Sequence, residues 1–149
     1  MTGFRARRAT AADLPAIQAL MARSIAVLQR GFLTPEEVAA SHAVMGLDTQ
    51  LVADGTYWLI EADRAMSSRT DTAGDSDIPA GALAGCGGWS RRRTLYGNDR
   101  SAGLRDARLL DPAQDAARIR AMYTDPAFAR RGVGRQVLAL CEDLSLIHI

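Results

Sequence analysis

The chain has 149 residues, 48% of them apolar, which is enough for one globular domain with its own core. Its formal charge of +1 lacks the basic excess of a nucleic-acid-binding surface, and no uninterrupted apolar run approaches the length that crosses a bilayer. All 18 basic residues are arginine, a bias that points to a GC-rich bacterial coding sequence rather than to a function.

Residues 4–8 read as a short opening strand, and the charged segment 1–8 has no apolar stretch behind it, so no secretory signal is expected. Thr10 and Asp13 form an approximate capping box, and Leu14, Ile17, Met21 and Leu28 recur at helical spacing, predicting a helix that ends before Gly31. Thr34, Pro35, Glu36 and Glu37 supply an N-cap, a proline at the first helical position and an acidic first turn. The second helix that they open carries Val38 and Met45 inward and ends near Gly46. Residues 48–53 read as one short helical turn, and 57–62 as the best strand by residue type. The Ser, Thr, Asp and Gly of 64–79 leave almost nothing to bury and read as a mobile hairpin loop.

A glycine-rich return strand over 80–89 and a long polar connection over 90–116 follow. Residues 118–123 alternate with period two as a strand, which Asp125-Pro126 stops. A last helix starts at Gly132, with Val133, Val137, Leu140, Cys141 and Leu144 on its inward stripe. This order is α+β rather than a regular alternation of strands and helices. Cys86 and Cys141 lie outside any metal-ligand spacing and read as two free thiols of a reducing cytoplasm; no metal is expected.

The chemistry concentrates in strand–turn–Arg130-Arg131-Gly132-Val133-Gly134-Arg135–helix. A helix N-terminus presents unpaired backbone N–H groups and a partial positive charge. Gly132 and Gly134 remove the Cβ atoms that would hold a ligand away, and the three arginines add full charges. A phosphate or pyrophosphate is the natural guest. No Lys-Ser or Lys-Thr follows the glycines, which excludes a Walker-type loop. Val137 stands where the dinucleotide fingerprint needs a small residue, and the acidic residue expected about twenty positions on is lacking.

These residues resemble the GNAT superfamily of acetyl-CoA-dependent N-acyltransferases, whose loop reads Gln/Arg-x-x-Gly-x-Gly/Ala after a strand that ends near a proline. The glycine pair, the proline spacing and the preceding strand match; Ala129 stands where the family often has Gln or Arg. The resemblance extends over the predicted element order and implies a mixed, mostly antiparallel sheet flanked by helices, lacking the family's C-terminal strands and helix. It also implies acetyl-CoA as co-substrate. Residues 130–135 would hold its pyrophosphate, and the backbone of Met122, Tyr123 and Thr124, where the family's strand splays open, would pair with the pantetheine arm. A backbone N–H there would polarise the thioester carbonyl while an acceptor amine attacks it directly.

On the same resemblance, Glu61 lies on a strand facing the acceptor side and is a candidate base, against the plainer reading of a solvated strand-end carboxylate. Tyr123 stands beside the cofactor arm and either packs or donates a proton. Phe32 and Leu33 occupy the segment that covers the acceptor in this family, and Trp58 and Trp89 would wall an acceptor pocket or belong to the core. Arg91, Arg92 and Arg93 either attract an anionic acceptor or form a solvated charge run. His42 either lines the acceptor side or sits at the surface.

A domain of this family continues with another strand, a helix that often supplies a Tyr to protonate the departing thiolate, and a final hairpin. On that basis residues 1–143 are expected to be the N-terminal and central part of one N-acetyltransferase domain, poorly soluble and inactive alone. Residues 144–149, Leu-Ser-Leu-Ile-His-Ile, match what the end sequence of a transposon-based sequencing adapter encodes, and are expected to be a non-native tail. The expected partner is a small-molecule or peptide amine in the cytoplasm, with no nucleic acid and no membrane; a homodimer of the full-length protein is compatible with these features. A non-catalytic acyl-CoA-binding module and a phosphate-binding domain of unrelated fold are the alternatives.

Overall fold

The computed structural model describes residues 3–41, 46–67, 77–94 and 106–148, with side chains through residue 144. The expectations for His42, Met45, the middle of the 64–79 loop and the 145–149 tail therefore lie outside the described residues.

Strand β1 (Phe4–Arg8) enters a 3-10 turn at Ala11–Asp13, closed by the capping box between Thr10 and Asp13, and then helix α1 (Leu14–Leu28). The buried stripe of α1 is Ile17, Leu20, Met21, Ser24 and Ile25. This departs from the expected stripe at Leu28, which is 41% exposed, because the chain already turns away into the next helix there. By length and mean hydropathy (1.3 over 18 residues) Ala11–Leu28 has the composition of a membrane span, although charged and polar residues interrupt it. Its apolar stripe is covered by the sheet, as in the core helix of a globular domain.

Helix α2 (Pro35–Ser41) is opened by a reciprocal cap in which the Glu37 backbone N–H donates to Thr34 Oγ1 and the Thr34 N–H to the Glu37 carboxylate. Helix α3 (Thr49–Ala53) is capped by Asp48, whose carboxylate accepts from the Gln50 N–H. The sheet takes β2 (Tyr57–Ala62), β5 (Leu83–Ser90) and β6 (Arg118–Thr124) in the order β1-β2-β5-β6, every pairing antiparallel. Between β2 and β5, β3 (Met66–Ser67) pairs with β4 (Asp77–Ile78). The 64–79 segment is thus no bare loop: its base is a hairpin that buries Ile78 to 8% exposure. The 90–116 connection is likewise anchored, through a bridge between Arg92 and Leu109 and the buried Leu110.

Helix α4 (Val133–His148) lies across one face of the sheet, where Val133, Val137 and Cys141 join Phe4, Ile60, Trp89 and Phe128 in a core. Helices α1 and α3 cover the other face, around Leu51, Tyr57, Leu59 and Cys86. Both central strands are buried on both sides, which is why β2 reads as a nearly continuous apolar run. The result is the α+β sheet flanked by helices that the resemblance implies.

Candidate functional site

Three features converge at the C-terminal end of β6. First, α4 is seated close to the sheet by glycine. A Cβ at Gly85 would collide with Val133 Cγ1, and one at Gly87 with Val137 Cγ1 and with Met122 Cγ at 2.9 Å. The glycine-rich character of β5, unassigned in the sequence reading, is the groove that receives the first two turns of α4.

Second, the loop into α4 is folded so that its first turn stays open. Asp125 caps the 3-10 turn Pro126–Phe128 and accepts two hydrogen bonds from Arg23 of α1, at 2.9 and 2.6 Å. Phe128 is driven into the core against Phe4. Arg130 (φ 67°) and Gly132 (φ 81°) are both left-handed, which reverses the chain into the helix. At the helix entrance the Gln136 N–H donates to the Gly132 carbonyl, and the N–H groups of Val133, Gly134 and Arg135 precede it. At Gly134 an added Cβ would find only Thr124 Oγ1, at 3.8 Å. A notch therefore opens between the first turn of α4 and the end of β6. It is rimmed by the exposed side chains of Arg130 and Arg135. Arg131 does not join them as a mobile charge: its guanidinium lies 5.9 Å from the Phe128 ring and donates to Met66 Sδ at 3.2 Å. A cleft of about 390 Å³, walled by Arg23, Ile78, Asp125 and Phe128, adjoins the turn.

Third, β6 carries a bulge. Cys86 pairs with Tyr123 and Gly88 with Arg120, so Gly87 faces both Ala121 and Met122. Ala121 is left-handed (φ 54°), and its carbonyl accepts a 2.8 Å hydrogen bond from the buried Tyr57 hydroxyl. Below it, Arg120 donates to Asp48 at 2.6 Å in an ion pair almost closed to solvent. Among the described residues β6 pairs with β5 alone and forms an edge of the sheet. Met122 is 38% exposed on this edge. Tyr123 is half-buried; burial raises its phenol pKa, against a bond from the Gly46 backbone that lowers it.

The structure brings Met122, Tyr123 and Thr124 together with 130–135, and leaves the other candidates elsewhere. Glu61 is no solvated strand-end carboxylate: it is 6% exposed and held by Arg5 and Arg7 of the neighbouring strand. Arg7 reaches on to Asp13, forming a bidentate pair that holds the Asp13 carboxyl well below the usual range. Both its carboxylate oxygens are engaged: Oε1 accepts from Arg7 and Oε2 from Arg5. Trp89, at 3% exposure, joins the core under α4; Trp58 lies under the Arg8 guanidinium, 5.5 Å away. Phe32 is 88% exposed, and Leu33 lines a separate cleft of about 320 Å³ between α1 and α2. In the arginine run, Arg92 is paired with Asp54 at 2.7 Å, which depresses that carboxyl, and Arg93 reaches Asp115. Sequence reasoning missed Arg23, Asp48, Tyr57 and Arg120, whose contacts with Asp125, Arg120, the Ala121 carbonyl and Asp48 respectively span 64 or more residues of chain.

No family model and no curated protein matches the sequence. Among solved structures, the chain is similar to a GCN5-related N-acetyltransferase from Ralstonia eutropha, at 16% identity and a TM-score of 0.48, over 98% of this chain and 78% of that one. It is similar to the ribosomal-protein-S18-alanine N-acetyltransferase of Escherichia coli at 14% identity and a TM-score of 0.42, over 95% of this chain. A GNAT-like decarboxylase in complex with isobutyryl-CoA gives 18% identity and a TM-score of 0.49, over 92% of this chain. The chain spans 59% and 56% of the length of the last two.

Proposed function

We propose that this chain is the cofactor-binding part of an acetyl-CoA-dependent N-acetyltransferase, acting on a primary amine in a ternary complex. The observation that carries this reading is the notch at Gly134, where the open first turn of α4 meets the end of β6, the edge strand of the described sheet. The pyrophosphate of CoA would accept from the N–H groups of Val133, Gly134 and Arg135, with Arg130 and Arg135 as counter-charges. The pantetheine arm would then run along the outward backbone of Met122 to Thr124, as an added strand would. This arrangement brings the thioester to the bulge.

The amine lone pair attacks the thioester carbonyl, the C–N bond forms, the C–S bond breaks, and the CoA thiolate departs as the ammonium proton is lost. Catalysis of this kind is positioning plus proton removal. Tyr123, whose phenol burial keeps protonated, is suited to donate to the leaving thiolate and not to act as base. Glu61 is engaged by Arg5 and Arg7, which favours a second reading: an acyl-CoA-binding module without turnover, at least in these 149 residues. The protein is cytoplasmic on either reading.

Release of CoA thiol from acetyl-CoA in the presence of a panel of primary amines tests the proposal. Amine-dependent release supports the transferase. CoA binding without release with any amine supports the module, and no CoA binding removes both.

A further inference from the structure

Tyr57 is buried to 1% exposure in the central strand, and its hydroxyl spans β5 to reach the bulge of β6. Two bonds meet there. The hydroxyl lies 2.8 Å from the Ala121 carbonyl and 3.1 Å from Cys86 Sγ. A phenol has one proton, and the shorter contact to a carbonyl takes it; the thiol therefore donates to the phenol oxygen. Burial pushes the Cys86 thiol up to about 12 and raises the Tyr57 phenol, so both keep their protons. Cys86 also bonds the Tyr123 backbone, on the far side of the bulge.

The bulge needs this support. Ala121 sits in a left-handed conformation that a non-glycine residue adopts only where its surroundings hold it. The bulge also turns its carbonyl off the β5 ladder and into the apolar layer under α1, where an unmade bond is costly. Two buried side chains on two different strands supply the bonds that the ladder does not.

We propose that Tyr57, backed by Cys86, is a positioning residue for acyl-CoA: its hydroxyl locks the Ala121 bulge and so fixes the outward backbone of Met122 to Thr124 in the geometry that receives the pantetheine arm. This inference rests on the CoA reading above. Neither residue touches the ligand, and both act through the backbone of β6.

The test compares CoA affinity by calorimetry for the wild type, Tyr57→Phe, Cys86→Ala and the double variant Tyr57→Phe/Ala121→Gly, each at a temperature where it is folded. Tyr57→Phe is expected to weaken CoA roughly tenfold, the scale of one buried hydrogen bond left unmade. Cys86→Ala, which removes only the second link, is expected to weaken it about threefold. Glycine at 121 adopts the left-handed conformation freely, so the double variant is expected to regain most of the affinity. A residue that only stabilises the fold would lower the melting temperature, leave the affinity unchanged and show no rescue by glycine. Wild-type binding together with unaltered affinity in Tyr57→Phe and Cys86→Ala would overturn the positioning role alone. Absence of wild-type CoA binding would overturn the CoA reading and this inference with it.

Discussion

The two faces of the sheet are built by opposite means. On the α4 face atoms are removed: Gly85 and Gly87 clear the path of Val133 and Val137, and the core between helix and sheet is apolar. On the α1 face charged groups are paired at the sheet: Arg120 with Asp48 in a buried pair, and the buried Glu61 with Arg5 and Arg7, which reach in from the surface, Arg7 also holding Asp13. The difference follows from what each face has to hold. A helix whose first turn must meet the end of β6 is placed most closely by having nothing between them. A strand that must carry a bulge needs polar groups beneath it, because the backbone bonds it forfeits have to be made elsewhere.

This contrast can be broken from either side. The largest effect is expected on the charged face. Asp48→Ala removes the partner of a buried arginine and the cap of α3 together, and is expected to cost about 3–5 kcal/mol in urea unfolding. A loss near that of a surface substitution would show that the pair is not a support of β6. On the α4 face Gly87→Ala is expected to cost about 1–3 kcal/mol by overpacking. Combined with Val137→Ala it should cost less than the sum of the two, because the second change removes the methyl that the first one strikes. Strict additivity would mean that the groove does not position the helix.

The smallest effect is expected from pH. Asp13 and Asp54 are held below the ordinary carboxylate value of 3.8, by hydrogen bonds from Arg7 and Arg92 respectively. A depressed carboxyl adds stability above its unfolded value and loses it as pH falls through the folded one. Unfolding midpoints should therefore hold steady down to about pH 5 and decline below the ordinary carboxylate range. Asp13→Asn should flatten part of that decline. A midpoint that falls equally in wild type and variant would remove Asp13 from the account.

Much of the fold was legible because it rests on local signals. Residue type fixes Tyr57–Ala62 as a strand, Asp125-Pro126 ends β6, and the spacing of Val133, Val137 and Cys141 predicts the buried side of α4. The Gly132-x-Gly134 entrance was legible for the same reason: a helix start depends on adjacent residues. What escaped depends on strand register. Arg5 and Arg7 meet Glu61 only once β1 is paired with β2, so the sequence presents a carboxylate on a strand and not its partners. Tyr57 reads as an aromatic strand residue until the bulge in β6 places a carbonyl opposite its hydroxyl. The alternation of Arg5 and Arg7 beside a single internal glutamate was the one available signal for that ion-pair cluster. The 64–79 segment was read as loop because its polar majority hid Met66 and Ile78, which pair and pack at its base.

The account depends most on the notch between α4 and β6. Gly134→Trp starts from an open position, where only Thr124 Oγ1 lies within 4 Å of the added Cβ, and puts a bulky ring into the notch. Calorimetric titration of wild type and Gly134→Trp with CoA is the direct measurement. The expected result is binding by the wild type and loss of that binding in the variant, with the unfolding midpoint preserved. Equal CoA affinity in the two proteins would contradict the assignment of this notch.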